Sequence, residues 1–410
     1  MSLATVYSRA VLGVEALLVT VETHLSMGMP GFAIVGLPET AVKESKDRVR
    51  SAIINSGLEF PERRITVNLA PADLPKAGGR YDLAIALSIL NASGQIKRGA
   101  FCRREDCKVK KCKEKACRYE VLGELALYGS VRGVQGVVPA ILAARSSGRN
   151  IIVPGENCAE LALCKYENSY CLDSLLEYVR HMTDGTQMKT CKDLPRLQPS
   201  LPRVDVIEQT HIKGQLVAKR AVQIATAGGH NILMIGPPGS GKTLLANTLI
   251  NLLPPMDEDE SLEAASIRSV ANLDLDLGRW QQRPVRTPHH SASSIALVGG
   301  GSRARPGEIS LAHRGVLFLD ELAEFKPSAL DALREPLESG QIPVSRANYR
   351  FTYPANFQLV GAMNPCPCGY GSDSELECRC SEHRIDRYLG KLSGPLLDRF
   401  DLIIEVPRLS

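Results

Sequence analysis

Gly236-Pro-Pro-Gly-Ser-Gly241-Lys242-Thr243 follows the apolar run NILMI and precedes LLANTLI. Glycines at these spacings let successive backbone N–H groups turn toward one centre, and the helix N-terminus behind them adds to the same positive field. The chemistry is phosphate binding. A strand, a glycine loop and a helix in that order distinguish a P-loop from an ordinary glycine-rich turn. The expected contacts to ATP are Gly236, Pro237, Pro238, Gly239, Ser240, Gly241, Lys242, Thr243 and Leu244. Lys242 brings charge to the β- and γ-phosphates, and the Thr243 hydroxyl is placed to hold Mg²⁺.

Hydrolysis of a triphosphate also needs carboxylates for the metal and the water. GVLFLDELAEF ends a buried-type strand on Asp320 and Glu321. Asp320 suits the Mg²⁺ shell and Glu321 suits the general base. FQLVGAMN ends on Asn364, a neutral group able to position the water or touch the γ-phosphate. LLDRFDLIIEV supplies Arg399, whose guanidinium would stabilise charge at a neighbouring subunit's nucleotide. Catalysis would then require assembled subunits.

Directly behind Asn364 stand two thiol pairs, Cys366-x-Cys368 and Cys378-x-Cys380, nine residues apart. Zinc in a closed four-cysteine tetrahedron is the leading reading, with free thiols, a disulfide or an iron–sulfur cluster as the alternatives. The segment has little apolar content to order it. Fixing about fifteen residues costs roughly 15–30 kcal/mol of backbone entropy, and a structural zinc site returns on the order of 10–16 kcal/mol. The metal is expected to fix a subunit-interface loop and to take no part in hydrolysis.

A second set, Cys102, Cys107, Cys112 and Cys117, recurs every five residues in FCRREDCKVKKCKEKACR. Metal and a merely solvated basic arm are both open there. Eight Lys/Arg against three Asp/Glu give this stretch +5, against +4 for the whole chain. The remainder is close to neutral. Between the P-loop helix and the Asp-Glu strand, Arg286, His289, His290, Arg303 and Arg305 lie among small residues on a long connection. They are expected to contact a DNA backbone with strong salt dependence and little sequence choice. The alternatives are a solvated loop or arginines serving an adjacent subunit's nucleotide.

The elements that must position these groups fall in two domains. With 410 residues, 44% hydrophobic and 23% charged, the chain exceeds one ordinary core and has globular composition. Residues 1–180 mix strands (EALLVTVET, GFAIVG, RRITVNLAP) with helical patterns, interrupted by the basic insert at 97–119. Residues 181–203 are polar, contain proline and read as a linker. From 204 to 410 come the β-branched, apolar strands of a buried parallel sheet. The fold class is α/β. No apolar run approaches the roughly 20 residues of a membrane span, and the N-terminus has no secretion-signal pattern. A cytoplasmic protein with metal-bound or reduced cysteines is expected.

The ordered P-loop, Asp-Glu, Asn and Arg resemble an AAA+ ATPase. RTPHHSASSIALVGGG, RPGEISLAHRGVLFLDELAEF, LDALREPLESGQIPVSR and GAMNPCPCG resemble more closely the magnesium-chelatase-like AAA+ proteins of the ComM/YifB family. The resemblance implies a hexameric ATP-driven DNA motor, with ATP, Mg²⁺ and branched or single-stranded DNA as ligands, acting in branch migration during recombination of transformed DNA. A chelatase-type motor subunit acting on a protein partner is the alternative. The resemblance also implies a helical lid after the last core strand, whereas this sequence stops at VPRLS. The first domain is similar to Lon-type peptidases through NLAPADLPKAGGRYDLAIALSIL and GELALYGSVRGVQGVVPAILAARSSGRNIIVPGEN. The Ser of their Ser-Lys dyad falls at Arg80 and the Lys at Val138. Neither replacement can serve as nucleophile or base, so no peptidase is expected. Arg80 either meets a phosphate or pairs with Asp82.

Overall fold

The computed structural model describes residues 2–36, 40–76, 78–96, 119–194, 212–301, 305–346, 349–371 and 376–408. Arg303 and the insert with Cys102, Cys107, Cys112 and Cys117 lie outside them. The chain divides into two compact units near residue 198.

The first unit begins with β1 (Ser2–Leu12) and β2 (Glu15–Ser26), an antiparallel pair that turns at Gly13 with φ 62°. That left-handed backbone suits glycine. Alternate residues of β2, namely Val19, Val21, Thr23 and Leu25, are buried, as the two-residue repeat of a half-covered strand requires. With β3 (Gly31–Val35), β4 (Arg64–Ala70), β5 (Tyr119–Val121), β6 (Asn150–Pro154), β7 (Ser169–Leu172) and β8 (Lys189–Thr190) they form one mixed sheet. Its order is β8-β7-β6-β5-β1-β2-β4-β3. The helix α1 (Thr40–Asn55) and the almost wholly buried α2 (Asp82–Ser93) pack into its core. α2 is apolar all round, so it is buried all round.

Three expectations for this unit are corrected. Structure continues past residue 180: α3 (Leu175–Asp184) contains His181, and β8 pairs with β7 at the sheet edge. The helix is N-capped by Ser174 and buries Leu175, Tyr178 and Val179, while the edge strand is only two residues long and polar, which hid it. Cys158 and Cys171 form a disulfide, so these two are not reduced thiols. Arg80 does not pair with Asp82, whose carboxylate is taken by Ser45 and by Arg48 at 2.7 Å. Val138 is fully buried. Lys76 spends its ammonium on the carbonyls of Gly36, Pro71 and Leu74. Burial lowers the Lys76 pKa.

The second unit is built on a five-stranded sheet that is parallel throughout. β9 (Ile232–Ile235), β10 (Val285–Arg286), β11 (Val316–Leu319), β12 (Gln358–Met363) and β13 (Leu402–Glu405) stand in the order β10-β11-β12-β9-β13. All residues of β11 and β12 are buried, the two-faced burial expected of a covered parallel sheet. Helices α4 (Leu216–Gly228) and α5 (Lys242–Leu252) cover it around Ala225, Leu245 and Leu249. A two-stranded ribbon, Gln341–Arg346 with Tyr349–Pro354, was not anticipated from the sequence. Among the described residues no helix is long and apolar enough to cross a membrane.

Candidate nucleotide site and four-cysteine centre

Parallel strands deliver their C-terminal ends to one side of the sheet, where α/β proteins bind ligands. β9 leads there into the P-loop, β11 into Asp320-Glu321, and β12 into Asn364. Because β12 lies between β9 and β11, Asn364 emerges between the phosphate loop and the acids. Gly236 starts the loop where a Cβ would come within 2.2 Å of the Val406 carbonyl oxygen, so only glycine fits. Gly239 and Gly241 turn it with φ 79° and 94°, and α5 begins at Lys242.

Lys242 is 9% exposed and donates to Gly236 O at 2.7 Å, Pro237 O at 2.9 Å and Asn364 Oδ1 at 3.2 Å. Burial lowers its pKa, with the Asp320 carboxylate pulling the other way. Among the described residues its hydrogen bonds go to neutral oxygens only, and Ser240 Oγ is buried without a hydrogen-bond partner. A cation hydrogen-bonded to no carboxylate and a spare hydroxyl suit a phosphate group. Thr243 donates to Asp320 Oδ2 at 3.2 Å, bringing together a hydroxyl and a carboxylate, hard oxygen ligands of the kind Mg²⁺ takes. Asp320 Oδ1 accepts from Glu321 N at 2.9 Å. Leu244 is exposed on the first turn of α5.

Glu321 has a left-handed backbone, φ 52°, uncommon for a residue with a side chain. Its Oε2 lies 3.1 Å from His290 Nδ1, and the His290 ring sits 4.0 Å from that of His289. Sequence reasoning missed this contact. Thirty-one positions separate the two residues, and only the β10–β11 pairing brings their loops together. Arg286 makes a two-pronged pair with Glu308 at 2.5 and 2.8 Å, while Arg305 is exposed. Arg399 stands apart from the nucleotide cluster and pairs with Glu338.

Beyond Asn364 the four expected thiols converge. Cys366, Cys368, Cys378 and Cys380 place their sulfurs within 4.8 Å of one another, with Cys366–Cys368 at 3.3 Å and Cys378 at 3.6 Å from both. A tetrahedron with Zn–S near 2.3 Å requires sulfurs about 3.8 Å apart, so the set fits zinc.

Fold and site together define a P-loop nucleotide-binding protein of the AAA+ type. The profile of a family described as "Magnesium chelatase, subunit ChlI" matches residues 208–410, and one described as "Subunit ChlI of Mg-chelatase" matches residues 21–157. The chain is similar to YifB of Salmonella typhimurium, 51% identical over 99% of this chain and 76% of that protein. It is likewise similar to competence protein ComM of Haemophilus influenzae, 52% identical over 100% of this chain and 77% of that protein. The magnesium-chelatase 38 kDa subunit of Acidiphilium rubrum is more distant, 29% identical over 48% of this chain and 57% of its own length. The chain belongs to the ComM/YifB family of magnesium-chelatase-like AAA+ proteins.

Proposed function

We propose that the protein is an ATP-hydrolysing DNA motor that works as a ring, with six subunits the expected number. The observation that carries this reading is the meeting of Lys242, Asn364, Thr243 and Asp320 at one end of the parallel sheet, with Glu321 beside them. Lys242 and the P-loop N–H groups bind the phosphates, and Thr243 and Asp320 hold Mg²⁺, which neutralises phosphate charge when bound. Glu321 takes the proton of the attacking water, Asn364 positions that water, and Arg399 stabilises the charge developing at a neighbour's nucleotide. Here Arg399 is held by Glu338, so its delivery requires that pair to open.

DNA is the favoured substrate because a relative 52% identical is a competence protein. Branch migration during recombination of transformed DNA, in the cytoplasm, is the specific task. Arg305 remains a candidate backbone contact, whereas Arg286, His289 and His290 have protein partners to leave first. Arg303 belongs with them by sequence. Zinc at Cys366, Cys368, Cys378 and Cys380 is structural. The distant likeness to a magnesium-chelatase subunit favours the second reading, a motor acting on a protein partner. ATPase activity measured with branched DNA and with a chelatase partner separates the two: stimulation by DNA alone supports the motor on DNA, and stimulation by the partner alone supports the other.

A further inference from the structure

The turn that carries two of the thiols touches the nucleotide loop at two points. Two residues before Cys366, Asn364 accepts from Lys242 at 3.2 Å. One residue after Cys368, Gly369 lies against Pro238. A Cβ at Gly369 would stand 2.7 Å from Pro238 Cδ and 2.8 Å from Cγ, and its φ of 88° is in the left-handed region. Pro238 follows the Pro237 carbonyl that accepts from Lys242 at 2.9 Å. The turn itself is closed by Gly369 N donating to Cys366 O at 2.9 Å. One arm from the cysteine turn therefore ends on Asn364, which accepts from the ammonium, and the other on Pro238, next in the chain to the Pro237 carbonyl that also accepts from it.

We propose that the four-cysteine centre braces the nucleotide loop: zinc held by Cys366, Cys368, Cys378 and Cys380 fixes the turn that presses Gly369 on Pro238 and presents Asn364 to Lys242, so metal occupancy sets nucleotide affinity. The inference rests on the nucleotide-binding reading above and departs from a metal that only shapes a subunit interface. The physical reason is local. Zinc binding orders a segment that lacks an apolar core of its own, and a phosphate cradle binds best when its donors are already in place. Without the metal, ordering of the turn would have to be met by the nucleotide's own binding energy, and affinity falls.

The test uses the full chain, with zinc content by atomic absorption, affinity for the fluorescent nucleotide mant-ATP, and thermal melting. Chelating zinc from the wild type should weaken mant-ATP binding about tenfold, about 1.4 kcal/mol, and adding Zn²⁺ alone should restore it. Cys378→Ser with Cys380→Ser should lose both metal and affinity. Gly369→Ala should keep its zinc and a single cooperative melting transition, somewhat lowered by its strained backbone, yet bind mant-ATP more weakly, because the added methyl displaces Pro238. Unchanged affinity in zinc-free wild-type protein, or in folded and zinc-loaded Gly369→Ala, overturns the brace. A zinc-loaded wild type that binds no mant-ATP contradicts the nucleotide reading itself, and the brace with it.

Discussion

Lys242 illustrates how much a short motif can say by itself. Its spacing from Gly236 and its place at a helix start are local, so the sequence displays them, and the structure adds the partners Gly236 O, Pro237 O and Asn364 Oδ1. Glu321 is different. Its contact with His290 joins residues that sequence order separates, and His290 reads in isolation as one of several basic loop residues. Glu321→Gln should lower kcat by about 10²–10⁴, the usual contribution of a general base, while mant-ATP binding persists. His290→Ala frees the Glu321 carboxylate and should lower kcat about tenfold with KM unchanged, within the loss that a misplaced catalytic group produces. Steady-state kinetics distinguish the two effects, and an unchanged kcat in His290→Ala would leave that contact without a catalytic role.

The strands decide where those residues meet. Apolar runs ending on Asp320, Asn364 and the P-loop are legible as buried strands, but their order across the sheet is not, since nothing in a run of β-branched residues names its neighbour. Placing β12 between β9 and β11 is what sets Asn364 between the loop and the acids. The short polar β8 escaped because two residues carry little periodicity, whereas the ribbon at 341–354 does alternate, with Ile342 and Val344 buried beside exposed Gln341 and Pro343, a period-two signal present in QIPVSR. Gly236 marks where strand β9 passes closest to the chain after β13. Gly236→Ala forces a methyl against the Val406 carbonyl and should destabilise the fold by about 1–3 kcal/mol, the range for overpacking. Urea denaturation measures it; a midpoint equal to wild type would show that the loop yields without cost.

At the scale of the whole molecule, the trans role proposed for Arg399 requires an assembly of subunits as the working form. The division into α/β units was legible from the change to parallel-type strands near 204, whereas the extent of the first unit was not, because α3 runs on through the polar residues after 180. Arg399→Ala should leave mant-ATP affinity in place and lower turnover of assembled rings by about 10³-fold, the lower end of what a supplied arginine contributes. Mixing this variant with wild type should poison rings out of proportion to its share. DNA stimulation should fall steeply as salt rises, since phosphate contacts release counterions.

The most direct measurement of the central claim is ATP turnover by the protein with and without branched DNA across a salt series. Turnover that rises with DNA at low salt, loses that rise as salt increases, and disappears in Glu321→Gln is the result predicted. Turnover indifferent to DNA at every salt concentration would contradict a motor that acts on DNA.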